Sequence, residues 1–125
     1  MSEDDPRVVC IVDDDASLRR SLRNLLTSVG FRVESFPSAE EFVDSVHRQN
    51  TGCLVLDLRM AGMSGLELLR HFAATGTRIP VIVLTAHGDE DTRQRTLQAG
   101  AAAFLRKPVQ SATLVHAIRT ALATP

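Results

Sequence analysis

Short apolar runs alternate with helical patterns along this chain, and that alternation constrains the fold more than any other feature. Val8–Val12, Cys53–Leu56, Pro80–Leu84 and Ala102–Leu105 are continuous apolar runs. Uninterrupted runs of this length suit strands covered on both faces, as in a parallel sheet. Phe31–Phe36 alternates instead, with Phe31, Val33 and then Ser35 before Phe36, which suits an edge strand. Between the runs, Leu18, Leu22, Leu25, Leu26 and Val29 recur at helical steps, and Gly30 closes that helix. Ala39, Phe42, Val43 and Val46 form a second stripe, opened by Ser38 and Glu41 as a capping box. Leu66, Leu69 and Phe72 form a third, with Ser64 and Glu67 in the same arrangement, and Leu114, Ile118, Ala121 and Leu122 form the last. Asp89–Ala99 stands apart. Asp89 is a good cap and Gly100 a good stop, but only Leu97 and Ala99 between them are clearly apolar. A helix with so thin a stripe is expected to be held loosely.

Strand and helix therefore alternate five times. This order predicts one α/β domain, a parallel sheet with helices on both faces. Right-handed crossovers reduce the topologies to a few doubly wound sheets. Charge excludes several functions. Fourteen basic residues against fifteen acidic ones leave a net charge of −1, so no basic excess supports nucleic-acid binding by this domain or adhesion to a membrane surface. No apolar stretch approaches the ~20 residues of a membrane span. The acidic start, Met1 to Asp5, lacks the basic-then-apolar order expected of a signal peptide. Cys10 and Cys53 both lie in apolar runs and read as buried hydrophobes of a reducing compartment. A cytoplasmic location is expected. Thirteen of the fourteen basic residues are arginine, which singles out Lys107 as the only lysine. A compact ammonium does what a planar guanidinium cannot.

Ligands of a parallel α/β sheet sit at the carboxyl ends of the strands. The first strand delivers Asp13-Asp14-Asp15 there, the third Asp57, the fourth Thr85-Ala86, and the fifth Arg106-Lys107-Pro108. Each is ordinary alone: Asp15 reads as the cap of the first helix, a lone Asp as a turn residue, a lone Thr as a backbone partner. Together, at one edge, they describe a site. If the first and third strands are neighbours, Asp13, Asp14 and Asp57 crowd together. Such crowding raises a carboxyl pKa unless a divalent cation relieves it, and Mg²⁺ suits few protein oxygens plus water.

In order and spacing these segments resemble the receiver (phosphoacceptor) domain of two-component response regulators. The matching segments are Ile11-Val12-Asp13-Asp14-Asp15, Leu56-Asp57-Leu58-Arg59-Met60, Met63-Ser64-Gly65, Val83-Leu84-Thr85-Ala86, Gly100-Ala101 and Phe104-Leu105-Arg106-Lys107-Pro108. The wording around Leu58-Arg59-Met60 and His87-Gly88-Asp89 is similar to the nitrogen-fixation-regulator subgroup. The resemblance implies a flavodoxin-like sheet in strand order 2-1-3-4-5, with a receiver domain over residues 7–123 and residues 1–6 as a flexible lead-in. It implies phosphorylation on Asp57 by a histidine kinase, in a reaction that needs Mg²⁺, with Mn²⁺ as a substitute. Asp14 would bind the metal directly and Asp13 partly through water, completed by Asp57 and the backbone carbonyl of Arg59. Thr85 would hydrogen-bond a phosphoryl oxygen, Lys107 would pair with Asp57 and then with the phosphoryl group, and Pro108 would follow a cis peptide bond. Thr85 and Phe104 would form the switch, and Arg59 and His87 would tune the phosphoryl lifetime. Phosphorylation would drive homodimerisation through the fourth helix, fifth strand and fifth helix, and the output would be transcriptional.

Two departures stand out: Ala61 where the family often has proline, which predicts a less stiff loop after Asp57, and Phe rather than Tyr at 104. Two other classes remain in view. One is a phosphohydrolase with an aspartyl-phosphate intermediate, which Leu58-Arg59 after the nucleophile and the lack of a cap-sized insertion oppose. The other is a receiver-like module that is never phosphorylated, which the retention of every acidic, hydroxyl and ammonium group opposes.

Overall fold

The computed structural model describes residues 7–123. The lead-in expected at residues 1–6 lies outside the described residues. In chain order the elements are β1 (Val8–Val12), α1 (Ala16–Val29), β2 (Val33–Phe36), α2 (Ala39–Val43), a 3₁₀ turn (Val46–Asn50), β3 (Thr51–Leu56), α3 (Gly65–Thr75), β4 (Val81–Thr85), α4 (Glu90–Gln98), β5 (Ala103–Arg106) and α5 (Ser111–Ala123). All strand pairings are parallel, and the order across the sheet is β2-β1-β3-β4-β5. β1 and β3 are thus neighbours, with Val12 beside Leu56.

The unbroken apolar runs exist because each strand feeds two cores. Cys10 and Val12 of β1 face one way, onto Ala39 and Phe42 of α2 and Leu68, Leu69 and Phe72 of α3. Val9 and Ile11 face the other way, onto Leu22 and Leu26 of α1 and Leu114, Ile118 and Leu122 of α5. Both cysteines are fully buried, and burial pushes the thiols up, to about 11 for Cys10 and about 12 for Cys53.

Five elements differ in their bounds from the sequence reading. β2 starts at Val33, although Phe31 is buried just ahead of it. α2 stops at Val43, and Val46 leaves the apolar stripe to stand 87% exposed. Here Ser45 accepts a hydrogen bond from the His47 N–H at 3.0 Å and starts the 3₁₀ turn, a local bond that competes with helix continuation. β3 begins earlier than expected, because Thr51 and Gly52 belong to the strand without adding to its apolar signal. β4 and β5 sit one residue later than read, which places Thr85 and Arg106 in the strands and pairs them. Ser64 and Glu67 form a complete capping box on α3. Ser38 accepts from the Glu41 N–H at 3.1 Å, but the Glu41 carboxylate turns to the Ser38 hydroxyl instead of its backbone N–H. α4 is as thinly anchored as its sequence implies: Thr96 is its one buried residue.

Candidate functional site

Three strand ends build the site. Where β1 leaves the sheet, Asp13 turns inward and is 3% exposed, Asp14 is exposed, and Asp15 caps α1 by accepting from the Leu18 N–H at 3.2 Å. Asp57 follows β3 directly, is 7% exposed, and donates its N–H to the Val12 carbonyl at 3.0 Å, so the backbone itself fixes it beside β1. Lys107 arrives from the end of β5, across a cis peptide bond to Pro108, and its N–H donates to the Thr85 carbonyl at 2.9 Å.

The ammonium of Lys107 joins the two buried acids. Nζ donates to Asp13 Oδ2 at 2.8 Å and to Asp57 Oδ2 at 3.4 Å. Asp13 Oδ1 accepts from the Asp15 N–H at 2.9 Å. Asp57 Oδ1 is buried with no hydrogen-bond partner, the one such side-chain atom among the described residues. Burial raises the Asp13 carboxyl above the ordinary carboxylate range, against the pull of Lys107 and the Asp15 N–H, while the Asp57 charge is the smallest contribution. Burial, more than carboxylate crowding, is therefore the main source of the shift. For Lys107, burial pulls the ammonium down, but Asp13 and Asp57 outweigh it and hold the pKa above the ordinary lysine value.

One carboxylate oxygen from each of Asp13, Asp14 and Asp57 lies within 4.8 Å of the others. A cluster of hard oxygens, one of them buried and uncommitted, fits a divalent cation that takes few protein ligands and keeps its waters. The residues present can hold such an ion.

Thr85 is fully buried at the end of β4, and its hydroxyl accepts from the His87 N–H at 3.1 Å. Phe104 is half-buried against the core beneath the β4–α4 loop. A Cβ on Gly88 would overlap the Phe104 ring, Arg106 lies over that ring at 5.3 Å, and the Arg106 Nε donates to the Gly88 carbonyl at 2.8 Å. Arg59 and His87 are both exposed, and no hydrogen bond or ion pair ties the Arg59 side chain or the His87 ring to the acidic cluster.

The order of strands, the paired acids and the single lysine converge with a family-level match. A model of the response regulator receiver domain matches residues 9–119. The chain belongs to that family. The receiver is 43% identical over 119 residues to the response regulator protein TmoT of Ectopseudomonas mendocina, covering 95% of this chain and 54% of that protein. It is 43% identical over 114 residues to the transcriptional regulatory protein FixJ of Azorhizobium caulinodans, covering 91% and 54%. The crystal structure of FixJ-N superposes with a TM-score of 0.86 at 40% identity, covering 95% of each chain. The receiver spans about half the length of these curated relatives. It is a signalling domain rather than an enzyme of the usual kind, and no helix among the described residues is long and apolar enough to cross a membrane.

The receiver structure also shows residues that sequence reasoning missed. Glu40, in the first turn of α2, accepts from the Met63 N–H at 3.0 Å and packs against Gly62, which has a φ of +77°. This bond braces the loop after Asp57 from outside, where Ala61 gives no stiffness of its own. Gly65 opens α3 so close to the Asp57 carbonyl that any Cβ would overlap it. Arg19 of α1 donates to the Asp13 carbonyl at 2.7 Å. Neither Glu40 nor Arg19 carries a sequence signal, because each acts on a backbone group that only the fold brings near.

Proposed function

We propose that this receiver accepts a phosphoryl group on Asp57 from the phosphohistidine of a histidine kinase and relays that event to a transcriptional output. The observation that carries the reading is the state of the Asp57 carboxylate. One oxygen is held by Lys107 and the other is buried without a partner, which suits a group that must acquire a bond to phosphorus. In the transfer, a carboxylate oxygen of Asp57 bonds to phosphorus as the phosphorus–nitrogen bond of the donor breaks. The imidazole leaves with its electron pair and takes up a proton. The transition state is loose, with charge on the equatorial oxygens.

Asp13, Asp14, Asp57 and the Arg59 carbonyl would hold Mg²⁺, or Mn²⁺ in its place. When bound, the ion would neutralise charge between an anionic donor and an anionic site. Lys107 stays within reach of Asp57 and can follow the charge onto the phosphoryl oxygens. The Thr85 hydroxyl already accepts from His87, so its proton is free to be donated to a phosphoryl oxygen. Movement of Thr85 then pulls the β4–α4 loop through the His87 N–H and alters the room around Phe104. Arg59 and His87 stand on the loops beside the reacting group, where their exposed side chains can admit or obstruct the water that hydrolyses the acyl phosphate.

Two surfaces serve partners in this reading. An apolar groove of about 570 Å³, lined by Leu18, Leu22, Leu25, Pro108 and Val109, runs from α1 to Lys107; it suits an apolar face of the kinase. The face made by α4, β5 and α5 would form the phosphorylated homodimer. There Arg93 and Arg95 already pair with Glu90 at 3.1 Å and Asp91 at 3.0 Å, so dimer ion pairs would require exchange of partners.

Acetyl phosphate with Mg²⁺ tests the proposal without a kinase. The expected result is one phosphoryl mass that accumulates on Asp57, with turnover no faster than the slow hydrolysis of that acyl phosphate. Hydrolysis of acetyl phosphate so rapid that no phosphoryl mass accumulates would favour the phosphohydrolase reading, and neither modification nor hydrolysis would favour a silent interaction module.

A further inference from the structure

Every polar atom of Asp13 is occupied. Its N–H donates to the Phe36 carbonyl at 3.2 Å, Oδ1 accepts from Asp15, and Oδ2 accepts from Lys107. Its carbonyl projects past the end of β1, and Arg19 Nη1 meets it at 2.7 Å. Arg19 lies in the first turns of α1, where its own N–H donates to the Asp15 carbonyl at 3.0 Å. A cation is unfavourable so close to a helix N-terminus. The guanidinium is held there by a short charge-assisted bond, folded back across the helix start.

That bond fixes more than Asp13. The peptide unit is planar, so orienting the Asp13 carbonyl also orients the amide and Cα of Asp14. Asp14 is exposed, and its carboxylate is not tied by a hydrogen bond or ion pair to any described residue. Its aim toward Asp57 therefore depends on the backbone plane that Arg19 pins. We propose that Arg19 is a positioning residue for divalent-cation binding, acting through the Asp13 carbonyl and touching neither the ion nor the phosphoryl group. This inference rests on the function proposed above.

Charge and geometry make opposite predictions here. If Arg19 acted only as a nearby cation, removing it would tighten Mg²⁺ binding. If it orients Asp14, removing it weakens binding. Calorimetric titration of the whole chain with MgCl₂ separates them. Arg19→Met is expected to weaken Mg²⁺ binding about tenfold, as loss of an outer-shell partner does, and Arg19→Lys is expected to fall between Met and the parent. Saturating Mg²⁺ should restore the initial rate of phosphorylation by acetyl phosphate, a split that general misfolding would not give. Mg²⁺ affinity in Arg19→Met equal to or tighter than the parent overturns the inference. If Arg19→Met does not fold, parental affinity in a folded Arg19→Lys overturns it equally, because that variant keeps the charge and loses the reach. Failure of the parent chain to bind Mg²⁺ would instead overturn the proposed function, and this inference with it.

Discussion

The two halves of the site are built to different standards of rigidity. On the β1–β3 side, Asp13 and Asp57 are joined by the Lys107 ammonium reaching across from the end of β5, the backbones are paired, and the helix beside them buries Leu22 and Leu26. On the β4–β5 side, Thr85 is anchored to an exposed loop, Phe104 is half-buried, and α4 buries a single threonine whose hydroxyl returns to its own helix at the Thr92 carbonyl, 2.7 Å away. The lesson is a division of labour. Under the proposed function, the chemistry would need groups that do not move before the donor arrives. The response needs an element whose position is held by little free energy, so that a small local change can shift it.

Breaking the rigid half should have the largest effect. Lys107→Met leaves two buried carboxylates unpaired and is expected to cost about 3 kcal/mol at neutral pH, read by urea unfolding without divalent ions. Added Mg²⁺ should return part of that loss. Side-chain truncation sharpens the contrast between helices. Leu26→Ala in α1, fully buried, is expected to cost about 3 kcal/mol, and Leu97→Ala in α4, half-buried, about 1 kcal/mol. Equal costs would show that α4 is anchored as firmly as α1.

Alkali should also attack the β1–β3 side first. Cys10 and Cys53 lie in β1 and β3, and their folded-state pKa values of about 11 and about 12 exceed the ordinary 9.0. A raised folded pKa means stability that is whole below 9.0 and lost as pH rises through the folded values. Lys107, also raised, has the same sign, with its contribution lost above its ordinary 10.5. Unfolding followed from pH 8 to pH 11 should show stability falling from pH 9, and less steeply in Cys10→Ala. The smallest effect belongs to the lightly anchored half. Arg106→Ala removes the cation over Phe104 and the donor to Gly88, and should speed amide exchange in the β4–α4 loop about threefold, in keeping with a weak exposed cation–π contact.

Much of this architecture was legible in the sequence because each layer writes its own period. Strands facing two cores give unbroken apolar runs, as in Val8–Val12, and α4 betrays its weak anchorage by its polar composition. The gathering of the acids and Lys107 at one edge, with Thr85 at the end of β4, was legible because these residue types stand at strand ends, where packing does not explain them. Val46 misled because its spacing fits a helix that Ser45 ends by a local hydrogen bond. The first residues of β3 were hidden because Gly52 is chosen for closeness to Arg7 and Leu122, not for hydrophobicity. Arg19 and Glu40 were illegible because their partners are backbone groups, to which sequence pattern is blind.

Amide hydrogen exchange with and without acetyl phosphate and Mg²⁺, in the parent chain and in Asp57→Asn, tests the central claim most directly. Phosphorylation is expected to change exchange in residues 86–106, covering the β4–α4 loop, α4 and β5, while the buried amides of α1 and α3 stay as they were. Asp57→Asn should show neither the phosphoryl mass nor the exchange change. A response of the same size in Asp57→Asn, or one confined to α1 in the parent chain, would contradict that claim.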